Sequence, residues 1–447
     1  MAASASGPQK PGRRLHLNAF LHGCGHHGAA WRLPDSPLEG LADIGLYERL
    51  AQTAERGLFD AIFFADGQSV GDPSAGPLWH LEPLTALAAI ARATERIGLV
   101  ATVSSTFYEP FHAARMLASL DHISGGRAGV NVVTSMFDAE ARNHGMDSLP
   151  PHGERYARAA EFIEVLYGLW DGWDADAIVA DRAGRYADTS RIRPLLHAGQ
   201  HFSVDGPLNV PRPPQGRPVL FQAGASEPGR ELAATYAEGV YAVAYDLPSA
   251  QAYYSDIKCR AAAAGRDPAS LVIMPGLVTY VGATREEALA KQAAADAHLP
   301  VETALARLGG FVRRDTGGWE LDAPVPALAP ASDFKGPAGR YATILRIIEA
   351  ERPTVRQLLG RLAAGGGHAT MVGTPGQVAD GIQQWFEQGG ADGFNLMPPL
   401  LPESLDDFVE MVVPVLQERG LFRTEYTATT LRGHLGEASS QTEGVPA

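Results

Sequence analysis

Short apolar runs recur along this chain at intervals that leave room for one amphipathic helix between them, and this alternation restricts the fold more than any other feature. The first run is LHLNAFLHG at 15–23, followed by Leu46, Leu50, Ala54 and Leu58 at helical spacing. AIFFADG (61–67) precedes a helix over 83–95, and IGLVATVSS (97–105) and RAGVNVVTS (127–135) flank a helix over 110–122. A long loop and a helix over 153–170 then lead to PVLFQAG (218–224), GVYAVAYD (239–246), LVIMPGLVTYVG (271–282) and GFNLMPP (393–399), with a closing helix over 404–419. Eight strand candidates with helices between them, and no GxGxxG after the first, predict an α/β fold of the (β/α)8 TIM barrel type over an open dinucleotide-binding sheet. The regularity lapses twice, after strands four and seven. The Pro- and Gly-rich stretch 171–216 and the mostly helical stretch 297–368 read as insertions into a single barrel spanning 14–426, with 1–13 a disordered lead-in and 427–447 a C-terminal arm.

Composition removes several function classes. The net charge of −14 comes with no basic tract, so the clustered Lys and Arg that phosphate-backbone binding needs are missing and nucleic acid is not an expected partner. Cys24 and Cys259 are too few and too far apart for a disulfide framework. No apolar run reaches the roughly 18 residues of a membrane span, and the first dozen residues lack the apolar core of a signal peptide, so the expectation is a cytoplasmic protein with no membrane partner.

Barrels of this kind work at the carboxyl ends of their strands. Those ends carry His22, Cys24, His26 and His27; Asp66; Thr102, Ser104 and Ser105; Asn131, Thr134 and Ser135; and Ala225 and Ser226. In FQAGASEPGRE, Gly224 permits close backbone approach, Ser226 stands at an N-cap position and Pro228 in the first helical turn. The helix start is a ready phosphate site to which Arg230 would add charge, and a capped helix with nothing bound is an equal alternative. His152 and Tyr156 fall four apart on one helical face, as ligand contacts over the barrel mouth or as part-buried aromatics with satisfied polar tips. Asp66 ahead of Gly67 is either a site residue or an acceptor of turn amides. HGCGHH contains zinc-ligating residue types, but no second Cys/His pair follows at finger-like spacing, and no metal is expected. His26 and His27 read instead as pocket lining or as proton donors and acceptors near neutrality.

From about residue 15 to 435 the chain resembles the luciferase-like monooxygenases, and within them the nitrilotriacetate monooxygenase-like group. The resemblance rests on NAFLHGCGHHGAAWR, FFADG, ERIGLVATVSSTFYEPFHAARMLASLDHISGGRAGVNVVTS, HGERYARAAEFIEVLYGLWDGW, QHFSVDGPLNVPRPPQGRPVLFQAGASEPGRELAA and VGTPGQVADGIQQWFEQGGADGFNL, and extends to the tail TATTLRGHLGE. It implies a two-component enzyme that oxygenates a small organic substrate with reduced FMN and dioxygen through a peroxyflavin, the FMN being supplied by a separate NAD(P)H-dependent flavin reductase. The implied flavin contacts are Asp66, Thr102, His152, Tyr156, Ala225 and Ser226, with Asn131, Thr134 and Ser135 along the isoalloxazine. His26, His27 and His368 become the candidate proton-handling groups, and the 297–368 insertion a lid hinged at Gly365, Gly366 and Gly367. Cys24 stands where the group has a small residue, close enough to an oxidising flavin to be oxidised itself. Arg313 and Arg314 point to an anionic substrate, or are ordinary surface arginines. A homodimer or homotetramer is expected. Two other classes share these features: a deazaflavin-dependent hydride-transfer enzyme on the same barrel, and a flavin-binding barrel without turnover.

Overall fold

The computed structural model describes residues 13–436 apart from 75, 78–80, 331, 332 and 335–337. Of the expected lead-in only residue 13, and of the expected C-terminal arm only 427–436, fall among these. The apolar runs form β1 (His16–Phe20), β2 (Ala61–Phe64), β3 (Gly98–Ser104), β4 (Ala128–Val133), β5 (Val219–Gln222), β6 (Gly239–Ala242), β7 (Val272–Val281), β8 (Ala369–Gly373) and β9 (Gly393–Leu396). All their ladders are parallel, and β7 pairs with both β6 and β9, so eight of the nine strands close into a barrel. The ninth, β8, lies beside the outer half of β7, from Ala369 opposite Leu277 to Gly373 opposite Val281. The chain therefore adopts the expected α/β TIM barrel.

Between the strands run α1 (Ile44–Arg56), α2 (Pro83–Ala93), α3 (Pro110–Ser124), α4 (Asp138–Asn143), α5 (His152–Trp170), α6 (Glu227–Tyr236), α7 (Leu247–Ala263) and α8 (Arg285–Ala297). Then come α9 (Val301–Val312), α10 (Ala338–Glu351), α11 (Val355–Ala363) and α12 (Pro375–Glu387). Their starts are written locally: Asp43 accepts from Gly45 N at 2.9 Å to cap α1, and Thr374 and Gln377 form a capping box on α12.

Alternation within each strand sorts side chains to the two faces. Inward go Phe20, Ala61, Phe63, Val100, Val219, Phe221, Val272 and Met274, one contiguous cluster that fills the barrel. Its lower end is stoppered by the one-turn helix Leu431–His434. A Cβ on Gly98 would lie 2.5 Å from Leu431 Cδ1 and one on Gly129 3.0 Å from Leu431 Cδ2, so these two glycines make room for the stopper. Beneath it Asp60, fully buried, is held ionised far below the usual carboxylate range: burial opposes the charge, but Arg423, His16 and the Leu17 amide outweigh it. Residues from α9, α10 and α11 build a separate apolar cluster around Leu308, Ile344, Ile347 and Leu358.

Three local expectations needed correction. The long loop after strand four holds α4, six residues with no room for an apolar stripe, organised by Glu140, whose carboxylate accepts from Phe137 N at 3.1 Å and Gln68 N at 3.2 Å. ATMVG at 369–373 is a strand that the sequence reading did not place. Leu58 lies past the end of α1 at φ +58°, not on its stripe.

Candidate active site

The turn from β5 into α6 brings two backbones into contact. A Cβ on Gly224 would lie 2.7 Å from Gly229 Cα, and one on Gly229 would lie 2.8 Å from Gly224 Cα and 2.9 Å from Tyr156 Oη. Only glycine fits either place. Ser226 is the N-cap, its Oγ accepting from Gly229 N at 3.4 Å. The amides of Ala225, Ser226 and Glu227 make no hydrogen bond among the described residues, leaving three adjacent donors at a helix start. His152 stands 4.9 Å from Tyr156, ring to ring, at the exposed start of α5. Arg230 does not add its charge as expected: its guanidinium donates to Ala225 O at 3.0 Å and to Asp256 at 2.9 Å, and so faces α7.

The ends of β3 and β4 form a polar wall. Asn131 Nδ2 donates to Thr102 Oγ1 at 3.0 Å, and Ser104 and Ser135 share a hydroxyl–hydroxyl bond of 2.9 Å. Asn131 Oδ1 is buried with no partner, an acceptor that a buried site leaves open only at a cost of about 1–3 kcal/mol. Ser135 is held left-handed, at φ +59°, by Arg155, which takes its carbonyl and that of Thr134. Thr106 Oγ1 donates to the same Thr134 carbonyl at 3.0 Å, so Thr134 contributes backbone to this wall. Asp66 sits across the mouth at the end of β2, accepting from Gln68 Nε2 at 2.9 Å, near Tyr108, whose hydroxyl is pushed up to about 12 chiefly by burial.

An aromatic layer floors the mouth: Phe20 meets Phe63 at 5.4 Å and Tyr241 at 5.7 Å between centroids, and Phe63 meets Phe221 at 6.1 Å. Above it Tyr241 Oη and His368 Nε2 are 3.0 Å apart, and Gly276 leaves the space His368 occupies, a Cβ there lying 2.4 Å from its Nδ1. His26 packs edge-on over Phe20 at 4.6 Å, and its Nε2 donates to the Phe20 carbonyl at 2.9 Å. Burial, and then His22, push the His26 pKa well below that of an ordinary imidazole. The ring is neutral at pH 7, and since a carbonyl can only accept, Nε2 carries the hydrogen and Nδ1 is an acceptor.

His27 is placed elsewhere. It is 2% exposed, its Nδ1 accepts from Ala29 N at 3.1 Å and its Nε2 donates to Asp296 at 3.0 Å, so both ring nitrogens fasten the loop after β1 to α8. Cys24 also turns away from the mouth. It is buried in the cluster with Tyr47 and Leu41, and burial raises its pKa, disfavouring the reactive thiolate. Arg313 and Arg314, both exposed, line a cavity of about 450 Å³ inside the insertion with Leu328 and Phe334, away from the strand ends. Among the described residues no three His, Cys, Asp or Glu side chains are grouped to hold a metal, and no helix is long and apolar enough to cross a membrane. Tyr241 escaped the sequence reading, although its parity with Gly239 marks it as inward-facing in β6.

Fold and site together define an α/β-barrel enzyme with a donor-lined cradle and a polar wall around one mouth. Residues 24–393 match the luciferase-like monooxygenase family. The chain is 44% identical over 430 residues to the N-acetyl-S-(2-succino)cysteine monooxygenase of Bacillus subtilis (strain 168), covering 95% of this chain and 97% of the relative. It is also 44% identical over 441 residues to nitrilotriacetate monooxygenase component A of Aminobacter aminovorans, with the same 95% and 97% coverage. Among solved structures it superposes on the riboflavin lyase RcaE, determined with modified FMN and riboflavin as substrate, at a TM-score of 0.84 and 32% identity over 95% of this chain and 96% of that one. The chain belongs to the luciferase-like monooxygenases. It is a flavin-dependent monooxygenase, which decides for oxygen chemistry over hydride transfer on the same barrel.

Proposed function

We propose that this monooxygenase takes reduced FMN as a shuttled co-substrate, delivered by a separate NAD(P)H-dependent flavin reductase, and oxygenates a small organic molecule. The observation that carries the reading is the β5–α6 turn, where three partnerless amides at a helix start lie beside two glycines that admit no side chain. Ala225, Ser226, Tyr156 and His152 hold the phosphate end. Thr102, Asn131, Thr134, Ser135 and Asp66 would face the ring system, with Asn131 Oδ1 the open acceptor there. Arg230 is the only basic residue between Gln222 and Glu238, and it is committed to Asp256. Neutral donors alone hold a phosphate modestly, which suits a flavin that arrives reduced and leaves oxidised.

Bound there, reduced FMN supplies the electrons that activate dioxygen. His26, its Nε2–H committed to the Phe20 carbonyl, offers Nδ1 as the acceptor for a proton at the mouth, while His368 and Tyr241 orient the groups there. Phe20, Phe63 and Phe221 exclude water from below. The insertion over 297–368 covers the mouth as a lid, its end at Gly365–Gly367, all three left-handed at φ +71°, +59° and +107°. The same reading places the enzyme in the cytoplasm beside its reductase, as a homodimer or homotetramer.

Fluorescence titration with FMN tests the cradle. Ser226→Ala is expected to weaken binding by about 1–3 kcal/mol through the lost phosphate hydrogen bond, and Gly229→Ala to weaken it further by filling the cradle. Unchanged affinity in both variants would refute the placement.

A further inference from the structure

Met397 is the residue after β9, and its N–H donates to Leu277 O at 2.7 Å, which carries the β9–β7 ladder one residue further. The side chain is 4% exposed and belongs to the apolar group of Val278, Tyr280 and Ala364 that packs against Phe20 and Tyr241. Gly276 makes room for it: a Cβ there would lie 2.7 Å from Met397 Sδ and 2.4 Å from His368 Nδ1. The sulfur therefore stands beside β7, 3.2 Å from Tyr241 Oη, whose ring lies against Phe20 in the floor of the mouth.

Tyr241 Oη is shared between two acceptors. It lies 3.2 Å from Met397 Sδ and 3.0 Å from His368 Nε2, and its one hydrogen serves one of them at a time. With the hydrogen on sulfur, His368 Nε2 donates to Oη; with the hydrogen on Nε2, the sulfur loses its donor. A thioether is a weak acceptor and an easily oxidised group, and a donor on its lone pair makes it a poorer nucleophile. The contrast is Met136, just past the end of β4 and 78% exposed, which bulk oxidant reaches freely. Met397 is closed to bulk solvent and set among the groups of the mouth.

We propose that Met397 is a self-oxidation site: its thioether takes up an oxygen atom when reduced FMN meets dioxygen with no substrate bound, and the Tyr241 hydroxyl shields it. This rests on the reading that reduced FMN is reoxidised at this mouth. Two electrons from the flavin and two protons convert dioxygen to hydrogen peroxide. The Met397 sulfur then gives an electron pair to one peroxide oxygen, the S–O bond forms as the O–O bond breaks, and the other oxygen leaves as water. The sulfoxide oxygen, a stronger acceptor than the thioether, claims the Tyr241 O–H and leaves His368 Nε2 to donate. It also sets a polar atom among Val278, Tyr280 and Ala364.

Mass mapping of methionine sulfoxide in the full chain tests this. One sample receives reduced FMN in air and in the dark, without substrate, while catalase removes the peroxide that escapes; a parallel sample receives hydrogen peroxide and no flavin. With flavin, Met397 is expected to gain its oxygen before Met136; with peroxide alone, Met136 before Met397. Tyr241→Phe is expected to speed the gain at Met397 about 2- to 10-fold, the worth of one hydrogen bond, and Met397→Leu to abolish the gain in that peptide. The proposal is overturned if the order of the two methionines is the same in both samples, if Met397 stays unoxidised while flavin is reoxidised, or if Tyr241→Phe is oxidised no faster than the wild type. Failure to bind FMN, read separately by fluorescence titration, would count against the flavin site and remove this proposal with it, whereas Met397 spared in a chain that binds FMN counts against this proposal alone.

Discussion

His26 shows how one hydrogen bond decides what a side chain can do. Its Nε2–H is fixed on the Phe20 carbonyl, burial and His22 hold it neutral, and His368 adds to the same effect, so the group offers an acceptor at Nδ1. A histidine whose folded pKa is depressed binds its proton more readily when unfolded. Its contribution to stability is constant above the ordinary value of 6.5 and falls as pH drops from there toward the folded pKa. His26→Gln is therefore expected to lose less stability than the wild type between about pH 7.5 and pH 5.5, as measured by thermal midpoints across that range. Parallel curves for the two proteins would show that His26 is not held neutral. The identities of the mouth residues were legible in the sequence because strand ends are recognisable, and Thr102, Asn131, Ser135, Ser226 and His26 all stand there. Directions were not. Nothing in HGCGHH says that His26 faces the mouth while His27 reaches α8 and Cys24 the core, because a loop has no fixed side-chain period. Arg230 was misjudged for the same reason: its partner, Asp256, lies on the next helix.

At the scale of elements, apolar runs and caps were enough to place all eight barrel strands, since a parallel strand buried on both faces leaves little else that such a run can be. β8 was missed because it is no barrel strand: it pairs only with the outer half of β7, and only its first and last residues are buried. The closing helix was foreseen as continuous, whereas Glu403–Asp407 passes through a widened turn at Phe408–Val412 before Val413–Glu418, where Pro414 cannot donate to the preceding turn. The stopper was illegible, because the contact of Leu431 with Gly98 and Gly129 spans most of the chain. Leu431→Ala is expected to destabilise the protein by about 2–5 kcal/mol, seen as a lower urea midpoint, while FMN affinity at the opposite end of the barrel is unchanged. A midpoint within error of the wild type would mean that the helix only rests on the barrel.

For the whole molecule, the barrel encloses one apolar cluster, and α9, α10 and α11 build a second beside it. The two are joined by main-chain bonds between Gly28 and Ala363 and between Gly365 and His26. The proposed account joins these parts: the amides of the β5–α6 turn would hold the flavin phosphate, and the neutral His26 ring would offer an acceptor at the mouth. That account is tested most directly by mixing the protein with reduced FMN under anaerobic conditions, admitting dioxygen, and following flavin reoxidation and hydrogen peroxide release beside reduced deazaflavin as a comparison. The expected result is one-to-one binding of reduced FMN, oxygen consumption matched to flavin, and peroxide release slower than from free flavin. Failure to bind reduced FMN, or anaerobic hydride transfer from the reduced deazaflavin, would contradict it.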